Sequence, residues 1–195
     1  MSNQLETLLS VIRECRLCEP YLPLGPKPVL RASQTARLLV VGQAPGTRVH
    51  ATGTPWNDLS GDRLRGWLGM TRELFYDESR IAIVPMGFCY PGKGKSGDMP
   101  PRPECSKAWH GTLIPLIKNI QLTLLIGQYA QTYFLGKYRK ATLTETVRAF
   151  KEYLPNFFPL PHPSPRNQLW LSKNPWFQEF VLPALRTAVA RLDFK

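Results

Sequence analysis

The sequence predicts an α/β fold with helices layered on a mostly parallel β-sheet. Two observations carry the prediction. Four short apolar runs alternate with stretches of helical periodicity, and each run leads into a loop that contains glycine or proline. The runs are also apolar without alternation, as strands buried on both faces are. A chain of 195 residues fits one domain with a two- or three-layer core, so residues 1–195 are read as a single domain.

The elements follow in order. Residues 4–14 place Leu5, Leu8, Leu9 and Ile12 on one face of a helix that ends at a cysteine pair. A proline-rich connection runs from Pro20 to Pro28. The first strand is ARLLVVG (36–42), which stops at glycine; RIAIVPM (80–86), LTLLIG (122–127) and the shorter FFPLP (157–161) follow. Helical patterns lie at 60–70, 103–119, 127–136 and 174–191, and Pro103 with Glu104 suits a helix start. In parallel sheets, binding loops gather at the carboxyl ends of the strands. Those loops are GQAPG, CYPGKGKSG, GQYAQ and HPSPRN.

The formal net charge is +11, which favours a polyanionic partner and a salt-sensitive encounter with it, nucleic acid foremost. No apolar run approaches the roughly 20 residues of a membrane span, and the first ten residues lack a basic segment followed by an apolar one. A cytoplasmic protein is expected, and a monomer. A reducing compartment disfavours disulfides, so Cys15, Cys18, Cys89 and Cys105 read as ligands of one metal site, with unrelated buried thiols as the alternative. The excursion between the last two carries Lys93, Lys95 and Arg102 among glycines and prolines, a composition suited to following a phosphate backbone without strand or helix. Lys137, Arg139 and Lys140 add general positive charge.

GQAPG (Gly42, Gln43, Ala44, Pro45, Gly46), the following GTPWNDLSGD and HPSPRN (162–167) together carry a resemblance. The first is similar to the first motif of the iron–sulfur uracil-DNA glycosylases best known from thermophiles. The last is similar to the second motif of the single-strand-selective enzymes. The chain thus resembles the uracil-DNA glycosylase superfamily over most of its length.

The resemblance implies a three-layer α/β/α sandwich around a four-stranded parallel sheet. It implies a monofunctional enzyme that flips out uracil or another deaminated base and hydrolyses its N-glycosidic bond, leaving an abasic site for base-excision repair. Residues 42–46, Trp56 and Asn57 would form the base pocket, with Trp56 stacked on the base where relatives carry phenylalanine; core packing is the other reading of that indole. His162 would donate a hydrogen bond to the departing base. Asp58 would activate water, or else cap the helix that follows, with Ser60 as another cap candidate and Asp62 complementing the helix dipole. Ser164, Arg166 and Asn167 would hold DNA phosphates, while Leu169 or Trp170 fills the place of the extruded base or packs on the last helix.

The cysteines match the order of the ligands to a 4Fe-4S cluster in the resembling enzymes; a four-cysteine zinc site has the same ligand set. Three departures separate the chain from its relatives. Gln43 replaces a glutamate, Ala44 replaces an aspartate or asparagine, and Pro85 falls where many relatives read uracil with an asparagine. Backbone groups of Met86 and Gly87, or Asn57, are the expected substitutes. These departures leave a second reading, an inactive iron–sulfur DNA-binding protein of the same fold. A hydrolase of free nucleosides is a third, which the positive charge opposes. His50 and His110 are expected at the surface or in packing.

Overall fold

The four apolar runs become the strands of one sheet. In the computed structural model, which describes residues 4–95, 97–192 and 194, these are β1 (Leu38–Val41), β2 (Ile81–Ile83), β5 (Leu122–Ile126) and β6 (Phe157–Leu160). A short antiparallel pair, β3 (Lys93–Gly94) and β4 (Gly97–Asp98), lies between β2 and β5 in sequence. The main sheet has the order β2-β1-β5-β6 and is parallel throughout, with Leu38 opposite Ile81 on one side and Leu122 on the other. Pro159 sits in β6, an edge strand, where its missing N–H is tolerated.

Alternate residues of each strand point to opposite faces, and both faces are apolar. Leu38, Val40, Ile81, Ile83, Leu124 and Phe158 enter one core cluster. Leu39, Val41, Ala82, Val84 and Leu125 enter the other. The first cluster is covered by α3 (Leu59–Leu68) and α9 (Leu182–Ala190), which contribute Leu64, Trp67, Leu185 and Val189. The second is covered by α1 (Gln4–Arg13), α5 (Pro103–Leu116) and α6 (Gln128–Leu135), through residues such as Leu5, Leu9, Leu113 and Ala130. Helices on both faces of a buried sheet make the three-layer sandwich that the family resemblance implies.

The remaining helices are short: α2 (Thr47–Thr52), α4 (Arg72–Phe75), α7 (Leu143–Arg148) and α8 (Gln168–Lys173). Two predicted helices differ from expectation for one reason. Pro115 removes a backbone donor, and α5 stops at Leu116 instead of 119. Pro183 lies in the first turn of α9, and the turns before it, Phe177–Val181, widen into a π-helix. The Lys93–Asp98 excursion, expected without regular structure, forms the β3–β4 hairpin. Among the described residues no helix is long and apolar enough to cross a membrane.

Candidate functional site

The order β2-β1-β5-β6 sends the chain from β1 to one side and then to the other, so a crevice opens at the carboxyl end of β1. A cavity of about 710 Å³ lies there, lined by the GQAPG loop, Trp56, Asp58, Pro85, Asp98, His162, Ser164, Arg166 and Asn167. Its size is that of a small-ligand site. The two motif loops, more than a hundred residues apart in sequence, thus share one wall.

Trp56 is shaped by strain. Its φ of 55° makes it the one non-glycine residue with positive φ among those described, a conformation that persists only where the surroundings impose it. Here they do. The Tyr76 hydroxyl donates to the Pro55 carbonyl (2.8 Å) and the Arg65 guanidinium to the Trp56 carbonyl (3.2 Å). Arg65 is itself 7% exposed, paired with Asp62 and 5.4 Å over the Phe75 ring. The indole lies across Gly42, where a Cβ would approach within 2.7 Å of it. Its ring sits 5.6 Å from the His162 imidazole, tilted by 32°. Arg65 and Tyr76 carry no mark in the sequence, because only the folded chain brings them to the Trp56 backbone.

His162 leaves the end of β6 half-buried. The Ser164 backbone N–H donates to its Nδ1 (3.2 Å), which places the proton of the neutral ring on Nε2. Burial holds its pKa below the ordinary histidine value, against the pull of Asp58. The turn after it is stapled: the Asn167 amide donates to the His162 carbonyl (2.7 Å), and Arg63 donates to the Ser164 carbonyl (3.1 Å). Asn167 therefore holds the loop's shape with its amide nitrogen. The Ser164 hydroxyl accepts from the Arg166 N–H (3.3 Å), capping a short turn at Pro165–Asn167.

Asp58 combines both sequence readings. It is the N-cap of α3, its Oδ1 accepting from the Gly61 N–H (2.8 Å), and it also lines the cavity. Ser60 lies beyond the cap, within α3. Asp98, which sequence reasoning passed over, lines the cavity from β4. Burial lifts its carboxyl above the ordinary value, against the pull of Arg166 and Lys93 and with a further push from Asp58. Gln43 donates to the Met99 carbonyl (3.2 Å), tying the first loop to the hairpin.

Several expected positions fall elsewhere. Asn57 is absent from the cavity lining: its amide oxygen accepts from Arg72 (2.9 Å) and its nitrogen faces Thr52 (3.4 Å). The N–H groups of Met86 and Gly87 are engaged by the Gly42 and Gln43 carbonyls (both 2.9 Å), so neither N–H is free to stand in for the donor of the lost asparagine. Arg102 is paired with Glu104 and stacked 4.1 Å over the exposed ring of Tyr21 beside the cysteines, and it does not line the main cavity. Trp170 packs against Trp176 and Phe177 and bonds Thr144 (2.9 Å), whereas Leu169 is 65% exposed. Lys93 and Lys95 are exposed. Buried His110 bonds the Pro85 carbonyl through Nε2 (3.1 Å), so its packing role also fixes the floor of the cavity.

Cys15, Cys18, Cys89 and Cys105 line a second, smaller cavity, and none is in a disulfide. Burial pushes the Cys89 thiol up to about 11 and the Cys105 thiol up to about 12. The Phe88 N–H points to the Cys105 sulfur (3.3 Å). The Trp109 indole N–H, beside the same cavity, is buried without a hydrogen-bond partner among the described residues. Sulfur acceptors on a bound group would satisfy it, so the donor set and its surroundings fit a thiolate-held cluster. Among the described residues no group of three or more His, Cys, Asp or Glu side chains is drawn together as one metal ion requires.

A family model described as the Uracil DNA glycosylase superfamily matches residues 31–186, a span that includes β1, β2, β5, β6 and both cavity loops. The chain belongs to the uracil-DNA glycosylase superfamily.

Proposed function

We propose that this protein is a monofunctional DNA glycosylase that draws a flipped nucleotide into the 710 Å³ cavity and hydrolyses its N-glycosidic bond. Membership of the superfamily supports a DNA glycosylase-type function; uracil or a related deaminated base is the proposed substrate, and an abasic site the product. The observation that carries the reading is the convergence of Trp56, Asp58 and His162 on one cavity, with His162 held as the Nε2–H tautomer.

In this mechanism the base stacks on the Trp56 indole. The Nε2–H of His162 donates to the base oxygen on which negative charge develops. Water forms a bond to C1′ as the C1′–N bond breaks, the bonding pair leaves with the base, and one water proton passes to the free oxygen of Asp58. Ser164, Arg166, Lys93 and Lys95 grip the phosphates, and exposed Leu169 fills the gap in the stack.

Cys15, Cys18, Cys89 and Cys105 would hold a 4Fe-4S cluster. When bound it would pin α1, α5 and the start of the hairpin segment together, a structural task.

Purified protein incubated with single- and double-stranded oligonucleotides containing uracil, hypoxanthine, xanthine or a thymine mismatch, then treated with alkali, tests the reading. Strand breaks at the modified base are expected. Uncut strands for every base would contradict it, and binding without cutting would favour the inactive DNA-binding reading.

A further inference from the structure

Asp98 is a second cavity carboxylate with no task in the mechanism above. Its Oδ2 lies 3.4 Å from the point that a Cβ on Gly46 would occupy, and the Oδ2 of Asp58 lies 4.0 Å from the same point. Gly46 has φ −84° and ψ 177°, ordinary extended backbone open to any residue. What glycine supplies here is therefore space, and that space faces two carboxylate oxygens.

Asp98 is held where it stands. Its backbone lies opposite that of Lys93 in the hairpin register. The next residue, Met99, donates its N–H to the Gly92 carbonyl (2.8 Å) and receives the Gln43 amide on its own carbonyl (3.2 Å). Gln43, unsuited to be a base, thus braces the hairpin against the first motif. Asp58 has one oxygen engaged by its helix cap, so alone it directs one of the two hydrogens of a water.

We infer that Asp98 is a positioning residue for hydrolysis, accepting the second hydrogen of the water that Asp58 deprotonates, in the space left by Gly46. The inference rests on the glycosylase reading. With both hydrogens held, the water turns its lone pairs away from the carboxylates and toward the substrate. Its oxygen bonds to C1′, the base leaves with the pair from the broken C1′–N bond, the proton goes to Asp58, and Asp98 gives and takes none.

The test is single-turnover excision from the duplex that the wild-type protein cuts fastest, among uracil, hypoxanthine and xanthine substrates. Asp98→Asn, Asp58→Asn, the double variant and Gly46→Ala are compared, with affinity for an abasic-site duplex and melting temperature measured alongside. Asp98→Asn is expected to slow excision on the order of 100-fold, the scale of a misplaced reactant, with affinity within about twofold and melting temperature unchanged. The double variant should be no slower than the slower single one, because both act on one water. Gly46→Ala should slow excision as Asp98→Asn does.

A wild-type rate in Asp98→Asn, parallel loss of rate and affinity, or losses that multiply in the double variant would overturn the inference. A wild-type protein that excises no base overturns the glycosylase reading, and this role with it.

Discussion

The indole of Trp56 and the imidazole of His162 face one cavity with ring centroids 5.6 Å apart, although 105 positions separate them in the sequence. In the proposed mechanism one ring offers a π-face to a base, the other an N–H donor to its edge. Trp56→Ala should weaken excision by about 10- to 100-fold, the worth of one base stack, while Trp56→Phe retains most of the rate. Gly42→Ala should mimic the loss, since its Cβ would come within 2.7 Å of the indole. Steady-state excision rates on one duplex decide; full activity in Trp56→Ala would assign the indole to packing.

Arg65 holds the strained Trp56 backbone from inside the protein. Replacing it by methionine leaves Asp62 and the Trp56 carbonyl without their partner. Asp62 is mostly exposed and re-solvates, so the unpaired carbonyl sets the cost: we expect a loss of about 1–3 kcal/mol in urea unfolding, together with slower excision. Arg65→Lys should rescue little, because an ammonium lacks the planar fork whose Nη1 reaches the Trp56 carbonyl and Tyr76 hydroxyl while its Nη2 holds Asp62. Unchanged stability in both variants would remove the brace from the account.

The histidines set the acid side of stability. Burial lowers His50 and His162 and brings His110 down to about 4. Below about pH 6.5 the unfolded chain binds protons that the native histidines refuse, so stability falls with pH and levels off below the native values. The slope reaches about 1.4 kcal/mol per pH unit for each histidine that stays neutral. Urea unfolding at pH 7 and pH 5 should show this loss, and His110→Gln should reduce it. An equal slope in wild type and variant would contradict the assignment.

The proposed 4Fe-4S cluster predicts a brown protein with visible thiolate-to-iron absorbance. Cys89→Ser and Cys105→Ser should each bleach it and expose the 90–104 segment to proteolysis, since the proposed cluster would anchor that segment at both ends through these residues. Colourless protein with stoichiometric zinc would replace the cluster by an ion, and neither metal would leave four free thiols.

Four strands, the flanking helices and the two motif loops were legible in the sequence because each rests on a local pattern: an apolar run buried on both faces, a helical stripe, a glycine–proline loop. The short helices α2, α4, α7 and α8 span four to six residues, too few for a period to declare itself. The β3–β4 hairpin escaped notice because Lys-Gly and Gly-Asp carry no strand preference, and Asp98 went with it. Charge alone also gives no hint that Arg102, a basic residue in a basic loop, pairs with Glu104 and stacks on Tyr21. Leu169 and Trp170, adjacent and both apolar, could be told apart only once α8 set one outward and the other against Trp176 and Phe177.

The central claim is that His162 acts on the departing base and not merely on DNA binding. Single-turnover excision by wild type and His162→Ala, each paired with affinity for an abasic-site duplex, tests it most directly. We expect a loss of about 100- to 1,000-fold in rate, the worth of one preorganised donor, with affinity changed by about twofold or less. Equal losses in rate and affinity, or a variant as fast as wild type, would contradict it.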